Sequence, residues 1–244
     1  MDCYLKEKCK LYKAGKCKQE NSLFCQYKDR SDRLFEAANI PENKRYKQAL
    51  VNDRTSEPEK DPIIIVQNTV SSEKNVMAFI NNGVNFLFWS TTPGNGKTSS
   101  ALQICRAYID CIWNTAEVGS CRVLFINIPR YLAELKHVIA GGKSEYAEHI
   151  KDNVLTADLV VWDDIAMKMA TEFEMDTLFS AIDTRLYTGK ANIFTSNTPP
   201  AELVRLIGAR LASRIIGESY KFEFVGPDKR TTRGTDNNGT ITGA

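Results

Sequence analysis

No run in the 244-residue sequence approaches the roughly 18 consecutive apolar residues that a membrane-spanning helix requires. The first residues, Met1-Asp2-Cys3-Tyr4-Leu5-Lys6, do not read as a secretion signal. These absences predict a cytoplasmic protein with no membrane partner. Charge imbalance is missing as well: 32 Lys and Arg face 30 Asp and Glu, so the net +2 points to no class of partner. There is no internal repeat, and only residues 231–244, rich in Gly, Thr and Asn, are low in complexity and read as a disordered tail. What is present is an ordinary soluble composition, 43% hydrophobic and 25% charged. That suits one domain of about 150–200 residues with a small extra module. Seven cysteines without an export signal read as thiols or metal ligands, not as disulfides.

The most informative stretch is Thr91-Thr92-Pro93-Gly94-Asn95-Gly96-Lys97-Thr98. It follows the apolar run Phe86-Leu87-Phe88-Trp89, which reads as a buried strand. It precedes Ala101, Leu102, Ile104, Cys105, Tyr108 and Ile109 at helical spacing. Strand, glycine-rich turn, Lys-Thr and helix is the setting of a phosphate-binding loop. Gly94 and Gly96 let backbone N–H groups curl around phosphate oxygens, and the helix N-terminus adds partial positive charge. Pro93 and Asn95 complete the cradle, Lys97 can reach the β and γ phosphates, and Thr98 can offer its hydroxyl to Mg²⁺. Thr91 stands where the motif usually opens with glycine, away from the atoms that hold phosphate.

A second motif points from nucleotide binding to hydrolysis. Leu159-Val160-Val161-Trp162-Asp163-Asp164 is an apolar strand ending in two carboxylates, the Walker B arrangement, 66 residues after Lys97. Asp163 is expected to orient the Mg²⁺ shell and Asp164 to polarise the attacking water as general base.

Cys3, Cys9, Cys17 and Cys25 crowd the first 25 residues at spacings x5, x7 and x7. Residues 1–30 hold eight Lys and Arg against four Asp and Glu, with Tyr4, Tyr12, Phe24 and Tyr27 interleaved and little aliphatic material. A segment so short needs a staple, and four cysteines can supply a tetrahedral zinc site. An iron–sulfur cluster or free thiols are the alternatives. The basic and aromatic mixture suits single-stranded nucleic acid, and equally a solvated basic face. Cys105, Cys111 and Cys121 read as small apolar packing residues. Residues 31–61 turn polar and charged and read as a linker with a short amphipathic piece.

From residue 62 the chain alternates. Helix is expected over 71–80, 131–139 and the Phe173–Leu186 stripe, and strand over 84–89, 122–128, 159–162 and 191–195. The alternation argues a parallel sheet with helices on both faces, an α/β fold. Asn197, at the tip of the strand after Walker B, stands where many ATPases place a γ-phosphate sensor. Arg210 and Arg214 lie four apart, on one helical face among apolar neighbours.

Together these residues resemble the AAA+ ATPases, and within them the DnaC/DnaI-type replicative helicase loaders. The resemblance is carried by Asp163-Asp164-Ile165, by Ile193-Phe194-Thr195-Ser196-Asn197, and by Gly208-x-Arg210-x-x-Ser213-Arg214. Phe35-Glu36-Ala37-Ala38-Asn39-Ile40-Pro41 and Ile182-Asp183-Thr184-Arg185 add to it, so that it spans roughly residues 35–230. It implies an AAA+ domain over 62–230. Arg214 would be the finger acting on a neighbour's ATP, Arg210 its companion, and Arg230 a possible second sensor. It also implies ATP and Mg²⁺ as cofactors, self-association through ATP-bridged interfaces, and a hexameric replicative helicase and single-stranded DNA as partners. Only 19 residues follow Val225, too few for the helical lid of larger AAA+ proteins, a truncation the loaders share. Cys9 to Cys17 looks like half of a three-cysteine, one-histidine finger in which Asp29 takes the histidine's place, so that Cys3 would complete the set. Thr91, the cysteine spacing, and Ala166 in place of a common glycine depart from the family pattern. Lys136, His137, Gly141-Gly142-Lys143 and Lys151 fall in the region that faces bound DNA in the related loaders. A transposition helper of the IstB type, a small-molecule nucleotide kinase and a module with purely structural ATP are the competing readings.

Overall fold

The computed structural model describes residues 26–45 and 61–228, apart from 118 and 167–169, and the single positions 12 and 15. Cys3, Cys9, Cys17, Cys25, Arg230 and the tail over 231–244 lie outside the described residues.

A five-stranded, wholly parallel sheet runs in the order β2-β3-β4-β1-β5. The strands are β1 (Asn85–Trp89), β2 (Val123–Asn127), β3 (Leu159–Asp163), β4 (Ala191–Ser196) and β5 (Tyr220–Glu223). The first four fall on the apolar runs expected from the sequence, because a parallel strand covered on both faces needs nearly continuous hydrophobicity. Every residue of β3 and β4 is buried. The fifth was not expected. Tyr220-Lys221-Phe222-Glu223 alternates polar and apolar at the sheet edge and is largely exposed, so it lacks the signal of the buried strands.

Successive side chains of each strand enter opposite layers. One layer joins Phe86, Phe88, Phe125, Val161 and Ile193 to helices α3 (Pro62–Val70), α4 (Glu73–Asn81) and α5 (Lys97–Ile112). The other joins Leu87, Leu124, Val160, Trp162 and Phe194 to α6 (Ile128–Ile139), α7 (Glu145–Asn153), α8 (Glu172–Tyr187), α9 (Pro200–Ile207) and α10 (Ala209–Gly217). Helix starts follow local chemistry. Asp61 caps α3 by accepting from Ile63 N at 2.9 Å with Pro62 in the first turn, and Thr171 and Glu174 form a reciprocal capping box at α8. Gly208, at φ 80°, separates α9 from α10.

The linker expected over 31–61 needs correction in its first half. Helices α1 (Gln26–Ala37) and α2 (Glu42–Arg45) belong to the core. Phe35, Ala38 and Ile40 are buried, and Phe125 N donates to Ala38 O at 2.8 Å along the free edge of β2. An uncovered edge would leave β2 amides unpaired, and this segment supplies a carbonyl. At the start of α1, the Tyr27 hydroxyl donates to Asp110 on α5, and the Tyr27 ring meets Trp113 edge-on at 5.2 Å.

Arg185 is wholly buried, and its hydrogen bonds run to an amide oxygen and to backbone carbonyls. It donates to Asn192 Oδ1 (2.7 Å) and to the carbonyls of Val154, Ala157 and Ala191 (2.7, 2.8 and 2.7 Å). Burial pulls its guanidinium down to about 9. It ties α8 to the entries of β3 and β4 and thereby holds the opposite ends of those strands, where the acids lie, in register. No described helix is long and apolar enough to cross a membrane.

Candidate functional site

The loop between β1 and α5 turns on two glycines in the left-handed region, Gly94 at φ 71° and Gly96 at φ 106°. Gly96 is also the residue before the first turn of α5, so the sixteen-residue helix aims its N-terminus at the loop. Lys97 is buried and donates from Nζ to Thr92 O (3.3 Å) and Asn95 Oδ1 (3.2 Å), which holds the ammonium inside the loop. Pro93 is exposed at the loop's rim. The Asn95 side chain is fully buried and donates to Ser90 Oγ and to Phe224 O, the latter at 2.7 Å. The side chain braces the loop against the chain leaving β5.

The two acids sit beside this loop. Thr98 Oγ1 donates to Asp163 Oδ1 at 2.8 Å, and Thr195 Oγ1 donates to the same oxygen at 2.9 Å. Thr195 also accepts from Asp164 N at 2.9 Å, and Ile165 N donates to Thr195 O at 2.9 Å. Asp164 is half-buried at φ 59°, a conformation unusual for a non-glycine residue, and the Thr195 hydroxyl holds its amide there. Asn197 Nδ2 donates to Asp164 Oδ1 at 3.2 Å. Thr98, Asp163, Asp164 and Asn197 thus form one connected polar set. Thr195, which the sequence reading did not single out, is its centre. Ala166 adopts φ 73°, a conformation glycine takes without strain, which is why glycine suits that place.

Arg210 and Arg214 lie on α10 and turn toward α8. The Arg210 guanidinium stacks on the Phe179 ring at 3.8 Å, and Arg214 Nε pairs with Asp183 Oδ1 at 2.8 Å. Both arginines are exposed. Of the basic residues expected to face DNA, Lys136 is paired at 2.9 Å with Glu174, whose carboxylate is 1% exposed. It therefore closes the cap of α8. Arg130 stacks on Tyr146 at 4.0 Å beside the tip of β2, where Asn127 N donates to the Tyr146 hydroxyl at 3.3 Å.

Burial pushes the thiols of Cys105 and Cys121 up to about 12, in keeping with their reading as packing residues. Among the described residues no cluster of His, Cys, Asp and Glu is set to hold a metal ion by itself. Thr98 and Asp163 fit a magnesium ion that arrives with phosphate oxygens, since a hydroxyl and a carboxylate oxygen converge there.

No family model matches the chain. The replicative helicase loader DnaC of Buchnera aphidicola subsp. Baizongia pistaciae (strain Bp) is 24% identical over 156 residues, 64% of this chain. The chain spans 60% of that relative's length. Among solved structures, a DnaC helicase loader superposes with a TM-score of 0.56 at 17% identity, covering 76% of this chain and 100% of its own. DnaI gives 0.56 at 19% identity, over 78% of this chain and 94% of its own. In sequence the chain is similar to the DnaC helicase loaders, and in fold to DnaC and DnaI.

Proposed function

We propose that the chain is an ATP-driven switch that binds a hexameric replicative helicase and delivers it onto single-stranded DNA. The observation that carries the nucleotide part is the junction of loop and acids: Thr98 and Thr195 both bond Asp163, while Asn197 bonds Asp164. The partner part is supported by the relatives, which are named replicative helicase loaders.

Gly94, Gly96 and Lys97 would hold the phosphates. Thr98 and Asp163 would hold the magnesium ion, which when bound screens phosphate charge. Asp164 takes the proton of the attacking water, and Asn197 fixes the orientation of Asp164 and senses the terminal phosphate. Arg214, with Arg210 beside it, acts across an interface on a neighbour's nucleotide, and Arg230 is a second contact to phosphate. ATP then stabilises an assembled, DNA-gripping state and hydrolysis releases it.

Binding and turnover of ATP test this reading. Lys97→Ala should abolish ATP binding, and Asp164→Asn should bind but not hydrolyse. Turnover by Asp164→Asn at the parent rate removes Asp164 as the base. Helicase pulled down by the parent, and placed on single-stranded DNA only with ATP present, tests the partner. Selective capture of duplex DNA and a transposase would favour a transposition helper instead.

A further inference from the structure

Beyond β5 the chain turns back over the phosphate loop. Phe224 is buried, donates from N to Trp89 O at 2.8 Å, and accepts from Asn95 Nδ2 at 2.7 Å. Gly226 then takes φ 114°, and Pro227 restricts the next turn. The half-buried Asp228 arrives directly against Gly94. A Cβ built on that glycine would lie 1.7 Å from Asp228 Oδ1, 2.3 Å from Cγ and 2.8 Å from Oδ2. The whole carboxylate therefore rests on the loop's first cradling glycine. Its approach is fixed by a short braced turn anchored to the loop's own Asn95.

We propose that Asp228 is a latch on the phosphate loop: its carboxylate occupies ground the triphosphate needs, and ATP binds only when it swings away. The inference rests on the nucleotide-site reading above. The loop is built to attract anions, through its backbone N–H groups, Lys97 and the N-terminus of α5. The anion placed against Gly94 is the protein's own carboxylate. A carboxylate and a polyphosphate a few ångströms apart in a half-buried loop repel each other, so the two states exclude one another. Latched and open forms are then a two-state element, and the apparent ATP affinity is lowered by the fraction of time the latch is open. The Asn95–Phe224 bond is the hinge, since it survives as the base from which Val225 to Asp228 moves. Any partner or neighbouring subunit that draws this segment aside would raise ATP affinity without touching the nucleotide.

The test is equilibrium binding of a fluorescent ATP analogue with Mg²⁺ to the full chain, Asp228→Asn, Asp228→Ala and Lys97→Ala, at one salt concentration. Asn keeps the shape and removes the charge, and Ala removes both. Each should tighten Kd about tenfold if the latch is closed about nine-tenths of the time. Thermal melts that match the parent's would show that the fold is unaffected. If the parent binds and Lys97→Ala does not, but both Asp228 variants stay within about twofold of the parent or bind more weakly, the latch falls and the nucleotide site stands. If neither the parent nor any Asp228 variant binds nucleotide, both readings fall together. Binding that appears only in the Asp228 variants would be its strongest support.

Discussion

Arg214 Nε lies 2.8 Å from Asp183 Oδ1 in an ion pair, so the arginine proposed to reach a neighbour's ATP is held on its own subunit's α8. Arg210 is parked on the same helix by its stack on Phe179. Exposed ion pairs of this kind contribute little, typically about 0–1 kcal/mol, so the contact can be exchanged for a phosphate at low cost.

Loss of the finger should therefore spare binding and remove turnover. Arginine fingers contribute about 10³–10⁵ in rate in nucleotide hydrolases. Arg214→Ala should keep its ATP affinity and lose nearly all steady-state ATPase. Mixed with Asp164→Asn, it should regain part of the activity, rising with protein concentration, because each variant supplies what the other lacks. A mixture no more active than its parts would place the finger within one subunit.

Thr195 links both acids, and its hydroxyl should matter for turnover more than for affinity. Thr195→Val keeps the shape and removes the bonds to Asp163 Oδ1 and Asp164 N. Hydrogen bonds to charged groups contribute about 1.5–3 kcal/mol, so kcat should fall about 10- to 100-fold with ATP affinity changed far less. Thr195→Ser should recover most of the rate. If Val and Ser behave alike, the hydroxyl has no part in positioning the acids.

Why Thr195 escaped the sequence while Asp163 did not follows from where the information lies. Asp163, Asp164, Thr98 and Lys97 stand in contiguous motifs, and strands β1 to β4 are each built on a short apolar stretch. The partnership of Thr195 with Asp163 exists only once Trp162 is paired with Phe194, which brings the next residue of each strand to the same place. The same holds for Asn95 and Phe224, 129 residues apart. Helix α1 was hidden for a different reason. Its apolar positions Leu34 and Phe35 are diluted by Asp29, Arg30, Asp32, Arg33 and Glu36, and only the edge of β2 reveals which face is covered.

The Lys136–Glu174 pair separates stability from DNA binding. Removing Lys136 takes the paired cation from the Glu174 side chain, which is 1% exposed and also accepts from the Thr171 amide at 2.8 Å. Lys136→Ala should lower the melting temperature, by a destabilisation of about 1 kcal/mol after allowance for the half-exposed lysine. Lys143→Ala with Lys151→Ala is the cleaner probe of DNA. Among the described residues neither lysine forms an ion pair, and the double variant should bind single-stranded DNA more weakly with a shallower salt slope. An unchanged slope would move the DNA contact away from α7 and the loop before it.

The last expectation concerns residues 1–30, where Cys3, Cys9, Cys17 and Cys25 would hold zinc and the surface around them would grip helicase or DNA. Every nucleotide-site motif lies beyond residue 90, so phosphate chemistry does not need this module. The fold dictates where to cut. Tyr27 bonds Asp110 and packs on Trp113, so a truncation at residue 31 would damage the ATPase core, whereas a chain beginning at Gln26 keeps α1 whole. That shortened chain should bind ATP like the parent and fail to load helicase. The parent, purified without chelator, should contain one zinc per chain, and Cys9→Ser or Cys17→Ser should release it, since a metal-held module folds only as its ligands bind. An iron–sulfur absorption band would keep the module and change its metal. Full helicase loading by the chain beginning at Gln26 would remove the module from the mechanism, and absence of any stoichiometric metal would return the four cysteines to free thiols.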